Sequence, residues 1–232
     1  MSNKLYSLLK LTRPLGWIPF LIPLILGIYD AFVINFSSID ILKIISGILV
    51  YGPIGAGSQY ALNFYFDRNL DKENKLRIPA KDLKIADQPF SSGSISENEG
   101  KAFIMILIIA GLTISWSIST MFFLITALCA LLGIAYSTPP LRFKSRPFLD
   151  IFANIACCFL SYAAGWVIFR SLAEFFKLNA FLKPCGRPLW LKMTVALHLL
   201  IRNFKVGRLA FIRQLSSVLK SRRNRQILFF KF

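Results

Sequence analysis

Residues 63–71 read N-F-Y-F-D-R-N-L-D and stand at the end of a long apolar run. Asn63, Asp67 and Asp71 are spaced by four residues. On an α-helix, positions i, i+4 and i+8 share one face, so the spacing predicts three oxygen-bearing side chains directed into one space at a membrane boundary. Amide and carboxylate oxygens suit a hard cation such as Mg²⁺, which usually sits between one or two carboxylates and the phosphates of a substrate. Carboxylates in or beside a bilayer are costly to place and therefore mark candidate functional sites.

The chain around this stretch is strongly apolar. Of its 232 residues 55% are hydrophobic and 17% charged, against about 25% charged in a soluble domain. Its mean hydropathy is +0.57. Five segments approach the ~20 residues that cross a bilayer: 15–36, 41–66, 102–119, 121–136 and 151–169. The first is broken only by Asp30, and the second is softened by Gly47, Gly52, Gly55 and Gly57. A very short turn joins the third and fourth. The first is too long for a signal peptide, and no small-residue cleavage site follows it. The expected architecture is all-α, a multi-span helical bundle.

Charge sets the expected orientation. Lys4, Lys10 and Arg13 precede the first span. Arg68, Lys72, Lys75, Arg77, Lys81, Lys84 and Lys101 fall between the second and third, and Arg142, Lys144 and Arg146 between the fourth and fifth. The opposite connections hold little charge besides Lys43. The positive-inside rule places all three basic segments in the cytoplasm, with the chain as a multi-pass protein of the cell membrane. An acidic segment and a basic one, distant in sequence, are thus expected at one membrane face.

Metal-thiolate and histidine chemistry are disfavoured. Cys129, Cys157, Cys158 and Cys185 have no metal-ligand spacing, and His198 is the sole histidine. Cys129, Cys157 and Cys158 lie in apolar runs and read as small core residues. A common ligand explains the acidic and basic segments together. Carboxylates holding Mg²⁺ bind a diphosphate, and Lys and Arg clamp its remaining oxygens. A diphosphate with an apolar tail fits a membrane site with a charged mouth.

Residues 63–71 resemble the first aspartate-rich motif of the UbiA superfamily of intramembrane prenyltransferases. Residues 88–96, Q-P-F-S-S-G-S-I-S, resemble the segment that follows it in that family, and residues 136–150, Y-S-T-P-P-L-R-F-K-S-R-P-F-L-D, the segment after the family's fourth helix. The T-R-P at residues 12–14 also fits. The resemblance covers roughly residues 8–170. It implies a helical fold of nine spans, of which about five are evident, and transfer of a polyprenyl group from its diphosphate to a lipophilic acceptor within the lipid bilayer. Asn63, Asp67 and Asp71 would hold Mg²⁺ as metal and catalytic residues, and Tyr136, Arg142 and Lys144 would contact the diphosphate. No nucleic-acid partner is implied. The chain departs from the family at Phe64, where Asp is frequent, and at Gln88, where Arg is common.

Other residues have plainer readings. Asp150, one turn before Asn154, reads as a helix N-cap, with a substrate role as the alternative. Lys72, Lys75 and Lys84 read as solvated or headgroup-facing charges. Trp17 and Tyr51 read as interface or core aromatics. Two other functions compete. An anionic-lipid or nucleic-acid binder would use the basic C-terminal segment, and an ion-coupled transporter would use the intramembrane acids. Neither explains residues 136–150.

The chain divides into residues 1–171, the prenyltransferase-like part, and a basic tail, 172–232. From Arg170 to Phe232 stand 14 Lys and Arg against one acidic residue, Glu174, so this stretch carries +13 of the chain's +17. No Asp follows Asp150, so the family's second aspartate-rich motif is missing. One reading of the tail is a basic amphipathic anchor on anionic lipid. The other is translation out of frame from about residue 172, with activity impaired by loss of the second motif.

Overall fold

The π-helical turn at Val50–Ile54 shows how local chemistry shapes this bundle. Pro53 offers no backbone N–H, and Gly52 adopts φ −99°, ψ −105°, outside the helical region. The second span therefore bends there instead of running straight. In this computed structural model, which describes residues 2–34, 40–77, 89–90 and 92–175, the order is α1 (Ser2–Leu11), a 3-10 turn (Pro14–Trp17), α2 (Ile18–Ile34), α3 (Ile41–Leu49), the π turn, α4 (Gly55–Arg77), α5 (Glu97–Ile118), α6 (Thr120–Ser137), a second 3-10 turn (Phe143–Ser145) and α7 (Pro147–Val167). No strand occurs among the described residues.

Five helical stretches are long and apolar enough to cross a membrane: Lys4–Phe32, Ile41–Asn69, Glu97–Ile118, Thr120–Ser137 and Phe148–Val167. The expected five spans and all-α class are borne out. The first begins earlier than its apolar run suggested, because α1 already carries Leu5, Leu8, Leu9 and Leu11 ahead of the turn at Pro14. The basic tail is described only to Phe175, so its amphipathic and out-of-frame readings, with Cys185 and His198, lie outside the described residues. Residues 78–88, with Lys81, Lys84 and Gln88, also lie outside them, as do the side chains of Asp71, Lys72, Lys75 and Arg77.

Helix ends follow their caps. Ser96 and Glu99 form a capping box at the start of α5: each side chain accepts from the other's backbone N–H, at 3.3 Å to Ser96 Oγ and 3.0 Å to Glu99 Oε2. Ser119 alone separates α5 from α6. Its extended backbone ends α5, and its Oγ accepts from Phe122 N at 3.1 Å to begin α6.

The main core joins α2, the π turn, α6 and α7 around Leu24, Tyr51, Phe122, Ala164 and Trp166. A Cβ at Gly27 would run into the Tyr162 carbonyl oxygen, and one at Gly165 into the Leu24 carbonyl oxygen. The two backbones touch at these glycines, the small-residue contact by which membrane helices associate. Within this contact Tyr162 donates to Asp30 Oδ2 at 2.6 Å, so the acid of the first span has a named partner. Cys129 and Cys157 are buried free thiols and Cys158 is half-buried, as expected of core residues.

Candidate functional site

α4 carries Asn63 and Asp67 to the end of the bundle where α6 gives way to α7. The connecting loop is tightly wound. Arg142 N donates to Thr138 O at 2.9 Å, and the Arg142 carbonyl accepts from Ser145 N at 3.0 Å and Ser145 Oγ at 2.8 Å. Arg142 is held at φ 38°, ψ 58°, a left-handed conformation that a non-glycine residue adopts at a cost of about 1 kcal/mol or more. Such outliers collect at functional sites. The 3-10 turn that follows lifts Lys144 over the same helix face.

The acidic and basic segments meet at one point. Lys144 Nζ donates to Asn63 Oδ1 at 2.6 Å and to Asp67 Oδ1 at 2.7 Å. Arg142 Nη2 donates to the same Asp67 oxygen at 2.9 Å. Ser137 Oγ stands 3.5 Å from Asn63 Oδ1. These side chains are partly withdrawn from solvent, with 12% of Lys144, 23% of Asp67 and 33% of Arg142 exposed. At that burial charge-assisted bonds outweigh ordinary surface ion pairs. Arg142 Nε is buried and has no hydrogen-bond partner among the described residues. A buried orphan donor on a guanidinium fits a further acceptor, such as a phosphate oxygen.

Tyr136 stands apart from this cluster. Its hydroxyl donates to Asp150 Oδ1 at 2.8 Å, and Asn154 Nδ2 donates to the same oxygen at 3.0 Å. The expected N-cap role of Asp150 is corrected here. α7 begins at Pro147, where a proline fits the first turn, and Arg146 is its N-cap residue. Asp150 lies inside the helix, where its carboxylate organises Tyr136 and Asn154.

A cavity of about 230 Å³ joins the two groups, lined by Asn63, Tyr136 and Asn154 together with Arg13, Phe20 and Tyr60. Arg13, also in a left-handed conformation at φ 48°, places its guanidinium 5.7 Å from the centre of the Tyr60 ring. Gln59 lines the cavity as well and donates to Cys129 O at 3.3 Å. The sequence reading missed Gln59, although one more four-residue step back from Asn63 reaches it. Trp17 donates to Thr12 O at 2.8 Å and Tyr51 is buried in the core, in line with their plain readings.

The donor set fits a hard divalent cation. Asn63 Oδ1 and Asp67 Oδ1 converge on one cationic centre, the Lys144 ammonium, and both are oxygen ligands of the type Mg²⁺ takes. Asp71 occupies the next position of that face on α4, with its side chain outside the described residues. Among the described residues no group of three or more His, Cys, Asp or Glu side chains is arranged to hold a metal ion by itself.

Comparison with known proteins gives a consistent answer. The pattern of the UbiA prenyltransferase family matches residues 20–228. Chlorophyll synthase of Arabidopsis thaliana is 28% identical over 180 residues, which are 74% of this chain and 44% of that protein. Lycopene elongase/hydratase of Corynebacterium glutamicum is 34% identical over 155 residues, 65% of this chain and 48% of the relative. A UbiA homolog from Archaeoglobus fulgidus, solved bound to GPP and Mg²⁺, superposes with a TM-score of 0.62 at 27% identity, covering 73% of this chain and 57% of that one. The chain thus spans under half the length of these curated relatives.

Proposed function

The chain belongs to the UbiA prenyltransferase family, and from that premise we propose that it transfers a prenyl group from its diphosphate to a lipophilic membrane acceptor. The observation that carries this reading is the meeting of Asn63 and Asp67 on α4 with Arg142 and Lys144 from the loop between α6 and α7. Oxygens for a divalent cation and cations for phosphate oxygens stand within one hydrogen bond of each other. A site for a diphosphate needs this pairing.

Asn63, Asp67 and Asp71 would hold Mg²⁺, which when bound supplies positive charge to the departing diphosphate. The Archaeoglobus fulgidus homolog, bound to GPP and Mg²⁺, supports a divalent-metal dependence. Arg142 and Lys144 orient the diphosphate and neutralise its oxygens, and Arg142 Nε offers a donor to them. Tyr136, fixed by Asp150, lines the cavity together with Asn63 and faces the bound substrate. The apolar surfaces of Phe20, Leu132 and Ala153 shield the allylic cation from water until the acceptor captures it. The basic segments orient this end of the bundle toward the cytoplasm, at the cell membrane.

The test is release of diphosphate from geranyl and longer prenyl diphosphates by the purified chain in lipid nanodiscs, with Mg²⁺ and without. Turnover that needs Mg²⁺ and falls in Asp67→Ala supports the reading. Binding and release that are indifferent to Asp67 defeat it.

A further inference from the structure

Lys144 and the divalent cation assigned above claim the same two oxygens. The ammonium lies 2.6 Å from Asn63 Oδ1 and 2.7 Å from Asp67 Oδ1. A Mg²⁺ ion on those atoms would stand about 2.0–2.1 Å from each. Charges of +1 and +2 crowded onto one oxygen pair repel strongly in a partly desolvated site. One cation must give way.

We propose that Lys144 is an exchangeable internal cation: it holds Asn63 and Asp67 together until a divalent ion takes their oxygens, and the displaced ammonium then reaches the substrate's phosphates. The inference rests on the metal reading of the preceding subsection and adds an order to it. The loop is built for such an exchange. Arg142 is tied by its backbone to Thr138 and Ser145, and its side chain reaches Asp67. Lys144 bridges both ligands from the end of a flexible four-carbon stem, so its head can travel while the turn stays in place. Exchange couples the two ligands. A cation that frees Lys144 strengthens the anion site, and by reciprocity the anion strengthens cation binding.

The experiment uses the full chain in nanodiscs without any prenyl diphosphate. Mn²⁺, a hard cation of similar preference, is titrated and followed by electron paramagnetic resonance. In parallel, acylation of Lys144 by an amine-reactive reagent is measured by peptide mass spectrometry. Acylation of Lys144 is expected to rise about fivefold or more as an Asp67-dependent Mn²⁺ site fills. Lys144→Gln is expected to tighten Mn²⁺ binding by about 5- to 30-fold, since the competing internal ligand is gone. Arg142→Gln, which removes a charge but not the bridge, should tighten it less. Asp67-dependent Mn²⁺ binding with unchanged Lys144 acylation overturns the exchange and leaves the metal reading standing. Absence of Asp67-dependent Mn²⁺ binding overturns the metal reading and the exchange with it. The acylation measurement is made on the native chain, with an Asp67 variant only to assign the Mn²⁺ site, so a poorly folding Lys144→Gln leaves the test intact.

Discussion

Asp67→Asn is the sharpest single perturbation of this site. It keeps the shape of the side chain and removes one charge. Two cations lie on one oxygen of Asp67, Lys144 at 2.7 Å and Arg142 at 2.9 Å. At an effective dielectric of about 20, each contact is worth about 6 kcal/mol of Coulomb energy before desolvation is subtracted. Partial exposure and the cost of holding long side chains reduce the net to about 1–2 kcal/mol for the pair of contacts. The fold should therefore survive, with its thermal midpoint lowered by a few degrees. Catalysis should suffer more, because the lost charge is needed where the diphosphate departs. Loss of one preorganised electrostatic group of this kind costs about 10²–10³ in rate, or about 2.7–4 kcal/mol. The assay is single-turnover release of diphosphate at saturating Mg²⁺, with thermal unfolding of the same preparation as a control. A variant that turns over within tenfold of the native chain would refute the reasoning, since tenfold is only about 1.4 kcal/mol.

Three further outcomes are expected. Tyr136→Phe removes the 2.8 Å bond to Asp150 and should lower the turnover rate several-fold, with stability changed by about 1 kcal/mol; an unaltered rate would make the contact purely structural. Gly27→Leu forces a side chain into the Tyr162 carbonyl oxygen, so α2 and α7 should separate, visible as loss of the monodisperse peak in detergent chromatography. Ser96→Ala removes one half of the capping box and should cost about 1 kcal/mol, read as faster hydrogen exchange at the first turn of α5 with turnover preserved.

The site was legible wherever a period or a charge contrast carried it. The four-residue step through Asn63, Asp67 and Asp71 predicts a shared helix face, and the backbone of α4 continues through all three. The charge contrast between residues 63–71 and 142–146 predicts a meeting, and the Lys144 and Arg142 contacts supply it. What sequence could not give was direction within the loop. Tyr136 belongs to the same motif as Arg142 and Lys144, yet it pairs with Asp150, because α6 ends at Ser137 before the loop turns back. Asp150 looked like a cap because acids favour helix starts. The proline at 147 moved that start upstream of it. Close backbone contacts such as Gly27 on Tyr162 leave no periodic trace, since a glycine announces freedom without saying what fills the space beside it.

The single serine between α5 and α6 has a consequence for how the chain is made. Ser119 terminates one span and caps the next, so no loop exists there to be threaded ahead of the second helix. The two spans are expected to enter the bilayer together as a hairpin, with both far ends left on the side from which they came. The topology of this helix pair is then decided once, at the hairpin, instead of twice. Lengthening the Ser119 junction by a glycosylatable hydrophilic insert should turn one insertion event into two and yield a fraction of chains with one span stranded outside, countable by the glycan. An insert that leaves every chain with uniform topology would mean that the junction plays no part in insertion.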